Sequence, residues 1–468
     1  MIKNPRHIAL NVLLFWHKAS HTLDKSLENY SEEISALSKK DRSLCNALIF
    51  GVLRHRKSID WIIIAFSKIP FEKINITPLY LLRIALFQIM YMDRIPAFAA
   101  INTTIDISKK RSGKKTAGFI NALLRNAADN LSKIALPNAE QEPEKFISVK
   151  FSLPLWLSKR WVKAFGFNAT CSLCEQINTI PQITLRTNTL KIKRRSLAEH
   201  LSLVAKNIQL TDYASQGINF SHPSLPIHEF ETFKLGLFQI QDEAAQIVTQ
   251  LLAPRPGEKI LDACAGLGGK TGHIAQMMEN KGILIAADVE NKKLESLESE
   301  SKRLGIDIIQ TKSISLLKTS IKDFDFYFDR VLLDAPCTGL GVIRRNPDTK
   351  WKRSKNDIER LCAKQKKMLN AAANLVKPGG VLVYAVCSCE EEENEDVIHT
   401  FLDKRKDFSI DKDFESDTYS LLTKQLISRL ISGEGFLKTY PAANNMDGFF
   451  AARLKRKSKF SSEISFKI

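Results

Sequence analysis

The stretch KILDACAGLGGKT (259–271) decides how the rest of the chain is read: an apolar run ends in small residues, and glycines follow at 266, 268 and 269. A hydrophobic strand that turns through glycines into a helix is the opening of a βα unit. The glycines let the main chain turn tightly and come close to a ligand. The loop alone does not name that ligand. A dinucleotide fingerprint needs glycine where Thr271 stands, and a P-loop needs glycine where Cys264 stands. An ATPase reading nevertheless stays open, because GGKT is followed downstream by a hydrophobic strand ending in Asp334.

Outward from this loop the pattern repeats. ILIAAD (283–288), DIIQ (307–310), RVLLDA (330–335) and VLVYAV (381–386) are strand candidates, with helical stretches between most of them. Such alternation predicts a parallel, doubly wound sheet that binds ligands at the carboxyl ends of its strands. Asp288 ends the second strand, where a carboxylate can accept both hydroxyls of a ribose; the competing reading is a cap of the next helix. Glycine loop plus ribose carboxylate suits an adenosine-bearing cofactor.

Residues 5–130 have apolar positions at helical spacing, as in LLRIALFQIMY (81–91) and AGFINALLRNAADN (117–130), and LPNAEQEPEK (136–145) reads as a linker. With 468 residues and 44% hydrophobic content the chain can bury several cores. The expected organisation is multidomain: an all-α domain over 1–135, a small α+β segment over 146–235, an α/β Rossmann-like domain over 236–456 and a basic tail over 457–468.

The formal net charge is +18 and is unevenly placed: 21 Lys/Arg against 11 Asp/Glu in residues 1–140, 12 against 7 in 141–235, and 36 against 33 thereafter. A basic N-terminal half attached to a nearly neutral domain suits nucleic-acid binding; solubility alone is the other reading. No apolar run is long enough to span a bilayer, so a cytoplasmic protein without membrane contact is expected. Its eight scattered cysteines should be reduced thiols. Cys171 and Cys174 form a lone CxxC with no second ligand pair, and the histidines show no ligand pattern, so no metal is expected.

RVLLDAPCTG (330–339) and VLVYAVCSC (381–389) each finish a strand with a cysteine. Either cysteine alone reads most simply as a small core residue. Two at the mouth of one sheet point to chemistry.

DAPCTG with the following GVIRRNPD, CSCEEEENED and the GGKT loop resemble the motifs of bacterial RNA cytosine-5 methyltransferases that use S-adenosylmethionine. KKDRSLCNALIFGVLRHR (39–56), LLRIALFQIMYMDRIPAFAAIN (81–102) and GFINALLRN (118–126) resemble the NusB-like RNA-binding domain of the Sun/Fmu type, which methylates 16S ribosomal RNA. LPLWLSKRW (153–161), LRTNTLK (185–191), FQIQDEAAQ (238–246) and MDGFFAARL (446–454) extend the likeness over nearly the whole chain.

The resemblance implies an S-adenosylmethionine-dependent class I methyltransferase acting on 16S ribosomal RNA, and a monomer. It implies that Cys387 adds to cytosine C6, that Cys337 assists loss of the C5 proton and product release, and that Asp334 hydrogen-bonds the cytosine edge. Lys270 is expected to be a loop cation near Asp334. Cofactor contacts are expected from Cys264, Ala265, Gly266, Leu267, Gly268, Gly269, Lys270, Asp288 and Asp334.

Other expectations concern the neighbouring charges. EEEENED (390–396) should start a helix whose positive end lies near Cys387, with the acids as a solvated cap. Cys389 is read as a bystander. The six cations of RRNPDTKWKRSK (344–355) read as a loop holding the phosphates around a target base turned out of its stack, with Trp351 either stacked on a base or packed in a core.

Three departures from the family pattern stand out: Leu267 replaces a proline, Val386 replaces the common threonine, and TKSIS (311–315) lacks the expected acid. They keep open an RNA-binding, antitermination-like factor with a degenerate cofactor pocket.

Overall fold

The computed structural model describes residues 4–18, 22–413 and 428–458, so most of the expected basic tail lies outside the described residues. Two compact units form. One takes in the described residues to Thr179 together with Ile343–Arg353; the other holds Ile180–Val342 and the described residues from Ser354 onward.

The first unit is all helical. Its centre is the helix Ile76–Tyr91, where every residue from Pro78 to Gln88 is buried. A helix apolar on all sides must be surrounded, and Pro5–Lys18, Lys39–Arg54, Arg56–Phe66 and Ala97–Asn130 supply the surround. The longest of these breaks at Gly113, whose φ of 85° ends one helical run and begins another. Three shorter helices between Pro143 and Ile177 group with these rather than with the sheets that follow.

The central helix carries one buried charge. Arg83 donates to both oxygens of Asp60, at 2.8 and 3.0 Å, and lies against the Tyr80 ring.

The basic loop corrects the phosphate-holding reading for Arg344 and Lys350, whereas Trp351 takes the core packing that is one of its two readings. Arg344, Lys350 and Trp351 pack into the helical unit: Lys350 is 0% exposed and donates to the Arg54 carbonyl, and Trp351 Nε1 donates to the Leu53 carbonyl. Lys352 donates to the Trp16 carbonyl. Buried Ile343 and the Trp351 ring pull the loop inward, and main-chain carbonyls at a helix end satisfy its cations. Burial pushes Lys350 down to about 7. It is no phosphate ligand.

The second unit contains two sheets. β1 (Ile183–Thr187), β2 (Lys206–Leu210), β3 (Gly217–Ser221) and β4 (Phe238–Ile240) form an antiparallel sheet in the order β2-β3-β1-β4. The larger sheet is built from β5 (Lys259–Asp262), β6 (Ile283–Asp288), β7 (Ile309–Ser313), β8 (Phe328–Asp334), β9 (Val376–Val386), β10 (Phe408–Ile410), β11 (Phe436–Thr439) and β12 (Phe449–Arg456). Its order is β10-β12-β9-β8-β5-β6-β7, with β11 also paired to β12. β5 to β9 are mutually parallel, as the alternating pattern predicts, and β12 runs antiparallel to β9.

Side-chain alternation fills a core on each face. Leu382, Tyr384 and Val386 enter one, while Val381, Val383 and Ala385 enter the other.

Replacing Asp60 with alanine strands the Arg83 charge inside the helical unit. Asp60→Ala should cost about 3–5 kcal/mol, read by urea unfolding of that unit, and the added change Arg83→Met should recover much of it.

Candidate active site

The cofactor loop begins where β5 ends. Ala265 N–H donates to the Ala287 carbonyl at 2.9 Å, and Gly266 N–H donates to Asp288 Oδ2 at 3.0 Å. Asp288 Oδ1 also accepts the Glu290 N–H at 2.9 Å, so the carboxylate binds the loop and the start of the next helix at once. The bond to Glu290 corresponds to the capping reading of Asp288. Gly268 has φ 85°, and a Cβ there would lie 2.5 Å from Leu297, which leaves glycine as the residue that fits.

Three residues in this region carried no assigned role in the sequence reading. Asp262, 1% exposed, accepts the Thr271 hydroxyl at 2.7 Å through Oδ2, while its Oδ1 has no partner. Burial pushes Asp262 up to about 6, against the Thr271 hydrogen bond. Arg186, fully buried in β1, donates to the Gly269 carbonyl at 2.7 Å and to Gln239 and Gln276, and so braces the start of the helix Gly269–Met277. Val289, beside Asp288, is 65% exposed, as Leu267 is at 64%.

An open glycine turn, a half-exposed carboxylate, an orphaned buried oxygen and two exposed apolar side chains fit a cofactor with an adenosine and an amino-acid part. Among the described residues no cluster of side chains could hold a metal ion.

The two strand-end cysteines meet. Cys337 Sγ and Cys387 Sγ lie 3.2 Å apart. The Cys387 sulfur, then burial, then the charges of Glu393 and Asp334 push the Cys337 thiol well above its ordinary range. Lys270 Nζ donates to Asp334 Oδ2 at 2.5 Å. Burial works against the Lys270 ammonium, but the Asp334 carboxylate more than offsets this and leaves it above its ordinary range. Cys389 is buried, and burial pushes its thiol up, as suits a bystander.

The acid run differs from the solvated cap that its composition suggests. Glu391–Glu393 is a short 3-10 turn, and the helix starts only at Glu395. Glu390 and Glu393 turn inward, Glu393 to 0% exposure. Its Oε1 accepts the Thr338 N–H and Gln365 Nε2, both at 2.9 Å; its Oε2 accepts the hydroxyls of Thr338 and Ser388, at 2.5 and 2.6 Å. Buried donors that would otherwise be unpaired draw the carboxylate in. No sequence signal separates Glu393 from its acidic neighbours.

Comparisons with known proteins agree with this geometry. The sequence model of the family 16S rRNA methyltransferase RsmB/F matches residues 249–455, that of the NusB family residues 3–129, and that of the RsmF/B-like ferredoxin-like domain residues 153–228. The probable ribosomal RNA small subunit methyltransferase B of Bacillus subtilis is 33% identical over 97% of this chain and 98% of its own length. The ribosomal RNA small subunit methyltransferase B of Escherichia coli O6:K15:H31 is 33% identical over 90% of this chain and 92% of its own. The crystal structure of PH0851 superimposes with a TM-score of 0.80 at 24% identity, over 97% of this chain and 99% of that one, and so shares the fold. Neither an ATPase nor a degenerate RNA-binding factor is favoured by this kinship. An α/β domain with two touching thiols, a NusB-like helical domain and full-length kinship together show that the chain belongs to the 16S rRNA methyltransferase RsmB/F family, with S-adenosylmethionine as methyl donor.

Proposed function

We propose that the protein transfers a methyl group to C5 of a cytosine in 16S ribosomal RNA through a covalent cysteine–cytosine intermediate. The observation that carries this reading is the 3.2 Å approach of the Cys337 and Cys387 sulfurs. Cytosine C5 is a weak nucleophile, and methylation there needs one group to add at C6 and another to take the C5 proton. Two adjacent thiols at the mouth of the sheet supply both.

Bound at the carboxyl end of β5, S-adenosylmethionine supplies the methyl as a sulfonium electrophile. Gly266, Gly268 and Gly269 would let the loop Cys264–Lys270 approach it, Asp288 would receive the ribose hydroxyls, and Leu267 and Val289 would cover the adenine with apolar surface. Asp262 Oδ1 would accept from the amino group.

Cys387 gives up its thiol proton to solvent and its sulfur bonds to C6; the C5–C6 electron pair shifts to C5 and bonds to the sulfonium's methyl, and the methyl–sulfur electron pair leaves with the neutral thioether. Asp334, with its side chain 30% exposed and one oxygen held by Lys270, presents the other oxygen to the cytosine amino group. Once Cys387 is bonded to carbon it stops acting as the neighbour that raises Cys337 most. Cys337 then yields its proton to solvent more readily. Its thiolate takes the C5 proton, the C5–C6 double bond re-forms, and the C6–S electron pair returns to Cys387.

The RNA's phosphates are held chiefly by the basic N-terminal half. If about 6–10 phosphates are neutralised, affinity measured by filter binding should fall about 10³–10⁵-fold between 50 and 200 mM salt.

Bisulfite sequencing of 16S ribosomal RNA from cells with and without the gene should show one cytosine protected only when the gene is present. Unchanged protection at every cytosine would overturn the reading. On denaturing gels with substrate RNA and S-adenosylmethionine, Cys387→Ala should form no adduct and lose methylation by on the order of 10³-fold or more. Cys337→Ala should methylate once and accumulate a denaturation-resistant protein–RNA complex. Adduct from Cys387→Ala and none from Cys337→Ala would reverse the two roles.

A further inference from the structure

We propose that Glu393 is the positioning residue of the two thiols, a single buried carboxylate that holds the residues following Cys337 and Cys387 and thereby sets the sulfur pair. This rests on the covalent reading above and adds to it the group that fixes its geometry.

The connections are specific. Thr338 follows Cys337 and gives Glu393 both its N–H and its hydroxyl; Ser388 follows Cys387 and gives its hydroxyl. Gln365 donates to Glu393 Oε1 at 2.9 Å and to the Pro336 carbonyl at 3.0 Å, which ties the carboxylate to the residue before Cys337 as well. The Glu393 main chain is fixed in turn, because Tyr384 in β9 donates its hydroxyl to the Glu393 carbonyl at 2.7 Å. Thr338, Gln365, Ser388 and Glu393 are all buried. Water therefore does not compete for these bonds.

The residue type matters. An ionised carboxylate only accepts and can take donors at both oxygens, whereas an amide brings two N–H groups of its own. Four donors converge on Glu393, so a glutamine there would set its N–H groups against at least one of them. A buried carboxylate without such donors would be strongly disfavoured. With them it becomes a stiff three-way junction between the loop after β8, the loop after β9 and the helix Lys355–Ala373.

Neither strand end holds the sulfur spacing by itself. β8 and β9 are in register to Asp334 and Ala385, and each cysteine lies beyond that last pair. Beyond the ladder, the Glu393 junction joins the two cysteine loops through side chains, beside a direct contact of the Thr338 and Ser388 hydroxyls at 3.3 Å and a main-chain bond from Gly341 N–H to the Cys387 carbonyl at 3.1 Å. A displacement of about 1 Å at reacting groups can cost on the order of 10²-fold in rate.

The test uses the full chain and one readout that needs no RNA. Diamide oxidises neighbouring thiols: each sulfur loses its proton, one S–S bond forms, and the diazene is reduced to the hydrazine. Cys337 and Cys387 should cross-link rapidly in the wild type, scored by peptide mapping. In Glu393→Ala the cross-linking rate should fall by about tenfold or more and kcat by about 10²-fold. The calorimetric Kd for S-adenosylmethionine should stay within about twofold, since the cofactor loop is untouched. Glu393→Gln should restore part of both losses. Should Glu393→Ala not fold, Thr338→Val removes one hydroxyl donor at nearly constant volume and should shift both rates in the same direction by a smaller factor.

Wild-type cross-linking and kcat in folded Glu393→Ala or Thr338→Val would overturn the positioning role. A parallel loss of cofactor binding would also overturn it, as the mark of general destabilisation. Methylation that survives Cys387→Ala would instead overturn the covalent scheme and leave the cross-linking result standing.

Discussion

The candidate active site depends on the register of β8 against β9. Parallel neighbours lie about 4.8 Å apart, so the loops that leave their carboxyl ends start side by side. Asp334 is the last paired residue of β8 and stands opposite Ala385 in β9. The cysteines follow within three residues on one strand and two on the other. A slip of one residue would send Leu382, Tyr384 and Val386 to the face that now takes Val381, Val383 and Ala385, exchanging large side chains for smaller ones across two packed cores. β12 fixes β9 from the other side, and its approach brings Gly448 onto Gly341, where a Cβ on Gly341 would lie 2.0 Å from the Gly448 carbonyl oxygen. The hydrophobic cores, against which Cys337 and Cys387 themselves pack, thus set the position of the site.

A basic protein that places its densest acid run beside its thiols is less paradoxical once distance is considered. Net charge acts on RNA at long range and is screened over about 8–10 Å in physiological salt. Glu393 acts over single hydrogen-bond lengths. Its oxygens are met by four donors, and its effect on the site is to hold the two cysteine loops. Glu391 and Asp396 face solvent, where they cost little.

Much of this was legible in the sequence because it depends on periodicity. The strand candidates overlap observed strands, although β7 ends three residues later and β9 starts five residues earlier than the candidates do, and the helices before residue 130 are present. The glycine loop, Asp288, Asp334 and both cysteines sit at carboxyl ends of strands because the βα pattern puts strand ends there. What the sequence hid is burial within a charged run. RRNPDTKWKRSK and EEEENED both read as solvated, yet Lys350 and Glu393 are 0% exposed. In each case a nearby apolar anchor and a set of unpaired backbone or hydroxyl groups reversed the usual preference, and neither is visible along the chain. Arg186 was hidden for the same reason: its partners come from two segments distant in sequence, Gln239 in β4 and Gly269 and Gln276 in the helix Gly269–Met277.

The topology also explains where donor and acceptor chemistry can meet. From β5 the sheet continues through β6 and β7 on one side and through β8 and β9 on the other, so the strand order reverses between β5 and β8. In doubly wound sheets the crevice opens at that reversal, outside the carboxyl ends. The strands on one side carry the glycine loop and Asp288; those on the other carry Asp334 and the two sulfurs. Lys270 starts in the helix after β5 and ends on Asp334 after β8, so this ion pair spans the reversal itself. A lysine anchored there keeps positive charge beside the acceptor half while its own main chain belongs to the cofactor half.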